Sequence, residues 1–231
     1  MNNIEIFWKE FSQGGYKDYL IGLKNTAIIA VLGLVIGFII GSIIALVKFI
    51  PSKKWPFKIL KGIGDVYVTV LRGTPMVVQL LLVHFALFPM MGLGGLNTVV
   101  QAVIVFGFNS GAYMAEMIRS GVNAVDPGQM EAGRCVGLSY SESMIKIVLP
   151  QAVKNIIPTL GNEFIALLKE TSIVSFIAVV DVTKSMESIA NSTYEFFIPY
   201  IFLAITYLVI VLIISFGIKK LEKRLKKNER H

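Results

Sequence analysis

The chain alternates between long apolar stretches and short polar ones. Five stretches reach or approach the roughly 20 residues that a helix needs to cross a bilayer. They cover residues 26–49, 65–88, 98–125, 151–182 and 201–218. The pattern predicts an all-α integral membrane protein with five transmembrane helices, forming one domain over residues 1–231. Residues 1–21 are mixed in polarity and rich in aromatic side chains, which favours an interfacial N-terminal segment.

Composition agrees with a membrane location. Charged residues make up 16% of the 231-residue chain, against roughly 25% in soluble domains. The net charge is +7, but seven Lys and Arg fall between Lys219 and Arg230. Residues 219–231 are therefore interpreted as a basic cytoplasmic tail beside the membrane, and no nucleic-acid partner is expected. Cys135 is the only cysteine, so the chain cannot form an internal disulfide.

Loop charges predict the orientation in the membrane. The lysine-rich loop after the first span (Lys53, Lys54, Lys58 and Lys61), the 126–150 loop and the tail fall on one side. The uncharged 89–97 loop, the acidic loop before the fifth span and the N-terminus fall on the other. The positive-inside rule then places the N-terminus outside and the C-terminus in the cytoplasm of a multi-pass cell-membrane protein.

Small residues and a proline mark two of the spans. Gly33, Gly37 and Gly41 recur every four residues in the first span, a spacing that lets helices approach closely in lipid. We expect them to form a packing face, against another helix of this domain. Pro75 interrupts the second span, where it would free a backbone carbonyl and kink the helix.

The polar loop at residues 126–150 predicts two short helices with a sharp corner. Asp126 and Pro127 suit the start of the first helix. Gly137 can end it in the left-handed conformation. Ser139 and Glu142 form a capping box that starts the second helix, and Pro150 is expected to start a third.

Ionisable residues inside the predicted spans are costly in a bilayer and usually face a pathway or one another. They are Arg72, Glu116, Arg119, Glu163, Lys169 and Glu170. One interpretation is internal pairing, with Arg72 or Lys169 satisfied by Glu116 or Glu170. The other is a substrate site at mid-membrane that offers donors and acceptors to a zwitterion. Its candidate residues are Gln79, Asn109, Tyr113, Glu116, Glu170, Thr171 and Ser172. His84 stands alone on an apolar span and is interpreted as a packed side chain.

The 126–150 loop also carries a family motif. Glu131, Ala132 and Gly133, then Gly137, then Ile147-x-Leu149-Pro150 resemble the EAA loop of ABC-transporter permeases, E-A-A-x3-G-x9-I-x-L-P. The one departure is Gly133, where the pattern has alanine. The resemblance implies that Glu131, Ala132, Gly133 and Gly137 belong to a coupling helix, which sits in a groove of an ATPase subunit.

Further stretches resemble the polar-amino-acid subfamily of binding-protein-dependent importers. They are Arg72 to Pro75 with Gln79-Leu80, Asn109 to Tyr113 with Ala115, Glu116 and Arg119, and Leu168 to Ser172. The resemblance implies a type I importer permease that dimerises with itself or a paralogue. It also implies two ATPase subunits and an extracellular solute-binding protein. The same resemblance implies a bacterial plasma membrane as the setting and a polar amino acid, basic ones included, as the substrate.

The chain itself lacks enzyme motifs. It has no G-x4-G-K-[ST] phosphate loop, so ATP and Mg are expected on the partner ATPase and no cofactor in this chain. It has no paired metal-ligand histidines, and no metal site is predicted. Two other classes remain open: an ion-coupled transporter or channel that uses the Glu116, Lys169 and Glu170 charges, and a membrane scaffold whose charges only pair internally.

Overall fold

A computed structural model of the protein describes residues 2–52 and 54–227, and in that part of the chain every regular element is helical. The helices are α1 (Asn3–Glu10), α2 (Tyr16–Phe49), α3 (Trp55–Gly73), α4 (Met76–Leu82), α5 (Phe88–Met90), α6 (Thr98–Asn123), α7 (Pro127–Cys135), α8 (Tyr140–Ser143), α9 (Leu149–Glu170), α10 (Val182–Thr193) and α11 (Phe197–Lys227). Lys53 of the predicted lysine-rich loop and residues 228–231 of the predicted tail lie outside the described residues.

Helices α2 and α6 pack closely at the centre of the molecule. Their contact pairs are Gly33 with Phe106, Gly37 with Ser110 and Gly41 with Met114. A Cβ on Gly41 would lie 2.4 Å from the Cβ of Met114, so a larger residue could not fit without separating the helices. Because the paired residues increase together in number, the two helices run parallel. The predicted packing role of these glycines is confirmed.

Apolar clusters tie the remaining helices to this pair. In one cluster, Ile29 of α2, Phe106 of α6 and Leu167 of α9 are each at most 1% exposed. A second cluster joins the end of α6 to the start of α9. There Gly121 approaches Ile156 so closely that a Cβ would lie 2.3 Å from its Cγ1. The second cluster therefore holds α9 against the end of α6, next to the 126–150 loop.

The second predicted span is two helices rather than one. Helix α3 ends at Gly73, α4 begins at Met76, and the two directions differ by 106°. Thr74 and Pro75 between them have extended backbone, with ψ of 145° and 137°. The predicted interruption at Pro75 is confirmed, and the bend is larger than a proline kink because an extended residue pair redirects the chain.

The fourth predicted span, residues 151–182, is too long. Helix α9 ends at Glu170 and continues as a 3-10 helix over Thr171–Ile177. Ala178 then adopts a left-handed conformation with φ of 59°, which stops the helix. Helices α2 and α11 are longer than predicted, starting at Tyr16 and Phe197.

Three helices of the described residues are long and apolar enough to cross a membrane, or four if the bent pair counts as one span. The three are α2 with the preceding segment, α6 and α11. Helix α9 has 22 residues but is not among these apolar helices. Five spans therefore remain a prediction.

The N-terminal segment packs against the last helix. Phe7 of α1 is 1% exposed, and its ring centre lies 5.4 Å from that of Phe202 in α11. The Tyr19 hydroxyl and Thr206 Oγ1 are 3.1 Å apart. The chain kinks at Gly14, so α1 and α2 are separate helices over the predicted segment 1–21. These contacts anchor the start of the chain to α11.

Two wide π turns each precede a proline. The Phe88 amide donates to Val83 ahead of Pro89, and the Leu149 amide donates to Met144 ahead of Pro150. Each bond spans five residues instead of four, which accommodates a following residue that has no N–H. Pro150 lies in the first turn of α9, as was predicted, and the wide turn joins this helix to α8 without a loop.

Candidate functional site

The break between α3 and α4 is held together by two amide side chains. Pro75 has no N–H, so the carbonyl of Leu71 loses its helical partner. Gln79 Nε2 donates to that carbonyl at 2.8 Å and to the Thr74 carbonyl at 3.1 Å. Asn109 Nδ2 of α6 donates to Gln79 Oε1 at 2.9 Å. Gln79 and Asn109 thus stabilise the break, and their predicted binding of substrate remains a prediction.

Arg72, Tyr113 and Glu116 come together beside this break. The Arg72 guanidinium lies over the Tyr113 ring, 5.4 Å from its centre. Glu116 accepts two hydrogen bonds from Arg119, one of them 2.9 Å from Nε to Oε2. Arg72 is also within electrostatic range of Glu116. Glu116 is therefore paired within its own helix, and three predicted polar residues of the spans share one region between α3 and α6.

The end of α9 carries a second group of polar residues. Glu163 faces α6, where Ser110 Oγ donates to its Oε1 at 3.5 Å. Glu170 is exposed, two turns further along the same helix face. Thr171 is fully buried and donates to the Leu168 carbonyl at 2.6 Å, while Ser172 is half-buried. Of the predicted site residues in this segment, Glu170 and Ser172 are therefore accessible and Thr171 is not.

The predicted internal ion pairs of Arg72 and Lys169 do not form. Within residues 2–52 and 54–227, the structure shows neither side chain paired with a carboxylate. Arg72 has the Tyr113 ring as its neighbour, whereas Lys169 lines an open cavity. Direct ion pairing is therefore not seen for these two cations, although Arg72 lies within electrostatic range of Glu116 and Lys169 within range of Glu170.

His84 and the apolar cavity are separate from these groups. His84 Nδ1 lies 2.7 Å from Gln101 Oε1, and Gln101 Nε2 donates to the Leu96 carbonyl at 2.8 Å. This bonding agrees with a packed histidine. A cavity of about 540 Å³ between α3, α4 and α6 is lined almost wholly by apolar side chains. Because Gln79 on its wall is already hydrogen-bonded, the cavity is unsuited to a polar ligand. No cluster of three or more metal-ligand side chains occurs in the described ranges.

The 126–150 loop forms the predicted pair of helices with a corner. Asp126 caps α7 by accepting from the Gly128 amide at 2.8 Å. Gly137 has φ of +91°, the left-handed conformation predicted for the corner. Ser139 and Glu142 form the predicted capping box, with bonds of 2.9 and 3.2 Å. Those hydrogen bonds hold the pKa of Glu142 below its usual value, so the box is intact at neutral pH.

The four predicted coupling residues occupy different faces of the loop. Glu131 and Ala132 are exposed on α7, and Gly137 is exposed at the corner. Gly133 is buried, and a Cβ there would lie 2.7 Å from Ser143 Oγ and 2.8 Å from Ile147 Cδ1. Glu131 and Ala132 are therefore available to a partner, whereas Gly133 makes an internal contact.

Sequence reasoning missed two polar features near α7 and α9. Gln151 Nε2 of α9 donates to Gln129 Oε1 of α7 at 3.1 Å, which links the short helix to the long one. The buried hydroxyl of Ser143, packed against Gly133, has no hydrogen-bond partner among the described residues. Both contacts are between residues that are brought together only when the loop folds, and their spacing in the sequence does not indicate them.

Comparisons with known proteins converge on one group. Residues 33–227 match the family model described as "binding-protein-dependent transport system inner membrane component". The chain is 40% identical over 210 residues to the arginine transport system permease protein ArtQ of Bacillus subtilis (strain 168), covering 91% of this chain and 93% of that one. It is 38% identical over 206 residues to the putative glutamine transport system permease protein GlnP of Rickettsia bellii (strain RML369-C), covering 89% and 90%.

A solved structure agrees with these relatives. A chain from the crystal structure of an amino acid ABC transporter with histidines superposes with a TM-score of 0.83 at 40% identity, covering 93% of this chain and 97% of that one. The names of the relatives differ in substrate, since one is an arginine and another a glutamine system.

Proposed function

Because the chain belongs to the family of binding-protein-dependent transport system inner membrane components and is the permease subunit of an amino acid ABC importer, we propose that it forms the translocation path and couples that path to ATP hydrolysis on a separate subunit. The observation that carries the coupling proposal is the exposed helix α7. Its Glu131 and Ala132 face outward while its Gly133 is fixed to the helix that becomes α9.

Movement of α7 would be transmitted to the membrane helices by contacts inside the chain. Gly133 packs on Ser143 and Ile147, and Gln129 bonds to Gln151. Through this joint, closure of an ATPase dimer would displace the start of α9. Glu131 provides the polar contact to the ATPase and Gly137 the corner that presents α7. The expected cycle is alternating access, with hydrolysis reversing the motion.

The polar residues of the spans would line the path. Arg72 and Tyr113 beside the α3–α4 break offer a cation and an aromatic face. Glu163 and Glu170 on α9 offer negative charge, which favours a basic side chain among polar amino acids. Gln79 and Asn109 stabilise the break between α3 and α4 through their hydrogen bonds. Thr171 donates to a carbonyl in the last turn of α9. The substrate is accordingly proposed to be a polar amino acid, with a preference for a basic one.

The assembly would contain two permease chains, two ATPase subunits and an extracellular solute-binding protein. In this arrangement α7 and the basic tail face the cytoplasm and the loop before α11 faces outward. The permease lies in the plasma membrane of a bacterium.

Purification from native membranes in a mild detergent tests the assembly. The tagged chain is expected to bring down a P-loop ATPase at about one copy per permease chain. A paralogous permease in the same sample would indicate a heterodimer, and its absence a homodimer. A chain that purifies alone, under conditions that preserve known ABC complexes, would contradict the proposal.

Reconstitution tests the reaction. Proteoliposomes that contain the complex and its binding protein are expected to hydrolyse ATP faster when arginine or glutamine is added, and to take up the stimulating amino acid. Uptake that follows an ion gradient without nucleotide would instead identify an ion-coupled transporter.

A further inference from the structure

Lys169 lies in an unusual environment for a cation in a membrane domain. It occupies the last turn of α9 and is exposed. Across residues 2–52 and 54–227 it forms no ion pair with a carboxylate. Ionisable groups at this depth are costly unless something compensates them, so they commonly face a binding site. The negative end of the α9 dipole accounts for part of that compensation.

The cavity in front of Lys169 is lined by hydroxyl groups. It has a volume of about 460 Å³ and lies between the end of α9, the start of α10 and the outer half of α11. Besides Lys169, its polar lining residues are Ser172, Thr183, Tyr200 and Tyr207, and two aliphatic side chains complete the wall. None of the lining residues carries a carboxylate. The cavity thus combines one positive charge with four hydroxyl groups, of which those of Thr183 and Tyr207 lie within hydrogen-bond distance of each other.

Three separate elements place these groups around the same space. Tyr200 and Tyr207 stand seven residues apart on α11, so they share one face two turns apart. The Tyr207 hydroxyl is 3.4 Å from Thr183 Oγ1, which positions the phenol against α10. Ser172 lies in the 3-10 helix that follows α9, and it lines the cavity from that side.

The nearby carboxylates do not neutralise the cavity. Asp181 is fully buried, and its two oxygens accept from the amides of Thr183 and Lys184. Glu170 follows Lys169 in the chain but points about 100° away around the helix. Glu187 on α10 is bonded to Lys184. Glu170 lies within electrostatic range of Lys169, but no carboxylate is among the residues that line the cavity.

From this geometry we infer that the cavity binds an oxyanion, held by the Lys169 ammonium and the hydroxyls of Ser172, Thr183, Tyr200 and Tyr207. Charge-assisted hydrogen bonds to carboxylate or phosphate oxygens are the interactions that such groups make best. The oxyanion has two possible sources: the carboxylate of an amino acid in the path, or the phosphate of a membrane lipid. The first source rests on the proposed function, and the second does not.

The carboxylate source is tested by equilibrium binding to the assembled permease–ATPase complex without binding protein. The probes are L-arginine and L-glutamine, each compared with its carboxamide derivative. Wild type is expected to bind the better amino acid at least about tenfold more tightly than its carboxamide, since the amide lacks the charge. Lys169→Met should reduce that ratio to about one, and Lys169→Arg should largely retain it. Lys24→Met removes another exposed cation, from α2, and should leave the ratio unchanged.

The phosphate source is tested on the same variants in nanodiscs. Wild type should retain phosphatidylglycerol through delipidation, and Lys169→Met should lose it, while amino acid binding stays the same. Tyr207→Phe keeps the ring but removes one hydroxyl, and should weaken whichever oxyanion binds. If Lys169→Met folds normally and changes neither the preference for the amino acid over its carboxamide nor the retention of lipid, the inferred oxyanion site is wrong.

The two proposals fail in different ways. If the wild-type complex shows no ATP hydrolysis stimulated by an amino acid, the proposed function is wrong, and lipid retention still decides the cavity. If stimulation is normal and Lys169→Met retains both kinds of binding, only the cavity inference is wrong. A purely structural role for Lys169 would appear as a lower melting temperature with unchanged binding.

Discussion

Gly133 of α7 packs against the side chain of Ser143, and this contact is possible because glycine has no Cβ. An added Cβ would lie 2.7 Å from Ser143 Oγ and 3.1 Å from Ser143 Cβ. The related pattern has alanine at this place, so the chain departs from it at a position where an added Cβ has no room. The departure is explained by the bulk of Ser143 on the facing helix.

Gly133→Ala is therefore expected to destabilise the loop, although alanine is the better helix former. Overpacking of this kind costs about 1–3 kcal/mol. Combined with Ser143→Gly, it should be less destabilising than the sum of the two single changes, since the Ser143 side chain is gone and only the flexible end of Ile147 must move. Thermal unfolding of the four proteins in detergent measures the cycle. Strict additivity would show that the two residues do not press on each other.

Gln79 offers a second prediction at the scale of one side chain. Gln79→Leu removes the donor that satisfies the carbonyls of Leu71 and Thr74 at the helix break. Leaving buried carbonyls unpaired costs about 1–3 kcal/mol, so the melting temperature should fall. Gln13→Leu changes an exposed glutamine and is the control. An unchanged melting temperature for Gln79→Leu would show that the break does not depend on this amide.

The conformation and hydrogen bonds of a residue were predictable where they depend only on neighbours a few positions away in the chain. Asp126, Gly137, Ser139 and Glu142 behave as the sequence indicates, because caps and left-handed turns depend on neighbours in the chain. The hydrogen bonds of Gln79 and Asn109 were not foreseen, because they depend on a break whose geometry is set by tertiary packing. A polar side chain in a span fits a substrate role and a backbone-capping role equally well in sequence.

The corner between α7 and α8 makes a prediction for an element. Gly137→Val places a β-branched residue at φ of +91°, a conformation that such residues rarely adopt. The corner should change shape and misdirect α7, so membrane insertion stays normal while ATP hydrolysis is no longer stimulated by substrate. Gly217→Val in α11 is the control, since a Cβ there meets nothing within 4 Å. Full stimulation in Gly137→Val would contradict the role of the corner in coupling.

The close contact between α2 and α6 gives a second prediction at the scale of an element. Gly41→Val would drive side-chain atoms into Met114 and the backbone of Ala115. The parallel pair should then separate, giving low yield and a broadened size-exclusion profile. Gly62→Val has open space around it in α3 and should behave as wild type. Normal yield and profile for Gly41→Val would show that this helix pair tolerates separation.

Helices were foreseen where hydrophobicity alone specifies them. Helix α6 begins at Thr98 as predicted and ends within two residues of the predicted boundary. The end of the fourth predicted span was missed, because the residue that stops the 3-10 helix after α9 is a left-handed alanine, Ala178, and alanine gives no signal of a chain turn. The size of the 106° bend was not predicted, since Pro75 indicates a kink but does not indicate two consecutive extended residues.

At the scale of the whole molecule, the single cysteine reports orientation. Cys135 is exposed at the end of α7. A membrane-impermeant maleimide should therefore label inside-out vesicles and not intact cells. Cys135→Ser combined with Tyr194→Cys moves the thiol to a position that is 88% exposed before α11, and it should reverse the pattern. Labelling of Cys135 in intact cells would refute the proposed topology.

The identity of the family was accessible from sequence because its motif is a contiguous loop with fixed spacing. The clustering of Arg72, Tyr113 and Glu116 was partly accessible, since polar residues in apolar spans tend to converge. The hydroxyl-lined cavity of Lys169 was not, because its walls come from α9, α10 and α11 and depend on where α9 stops. Nothing in the spacing of these residues predicts that stop.

The wide turn at Met144–Val148 holds one residue more than an α-helical turn would. Each residue of a helix advances the azimuth by about 100°, so the direction in which α7 projects from the axis of α9 depends on a count of residues. Two permeases can therefore have identical sequences on either side of this turn and still project their loops in different directions, if the turn in one of them has a different number of residues. A shift of one position in aligning them would rotate every inferred contact by more than a quarter of a circle.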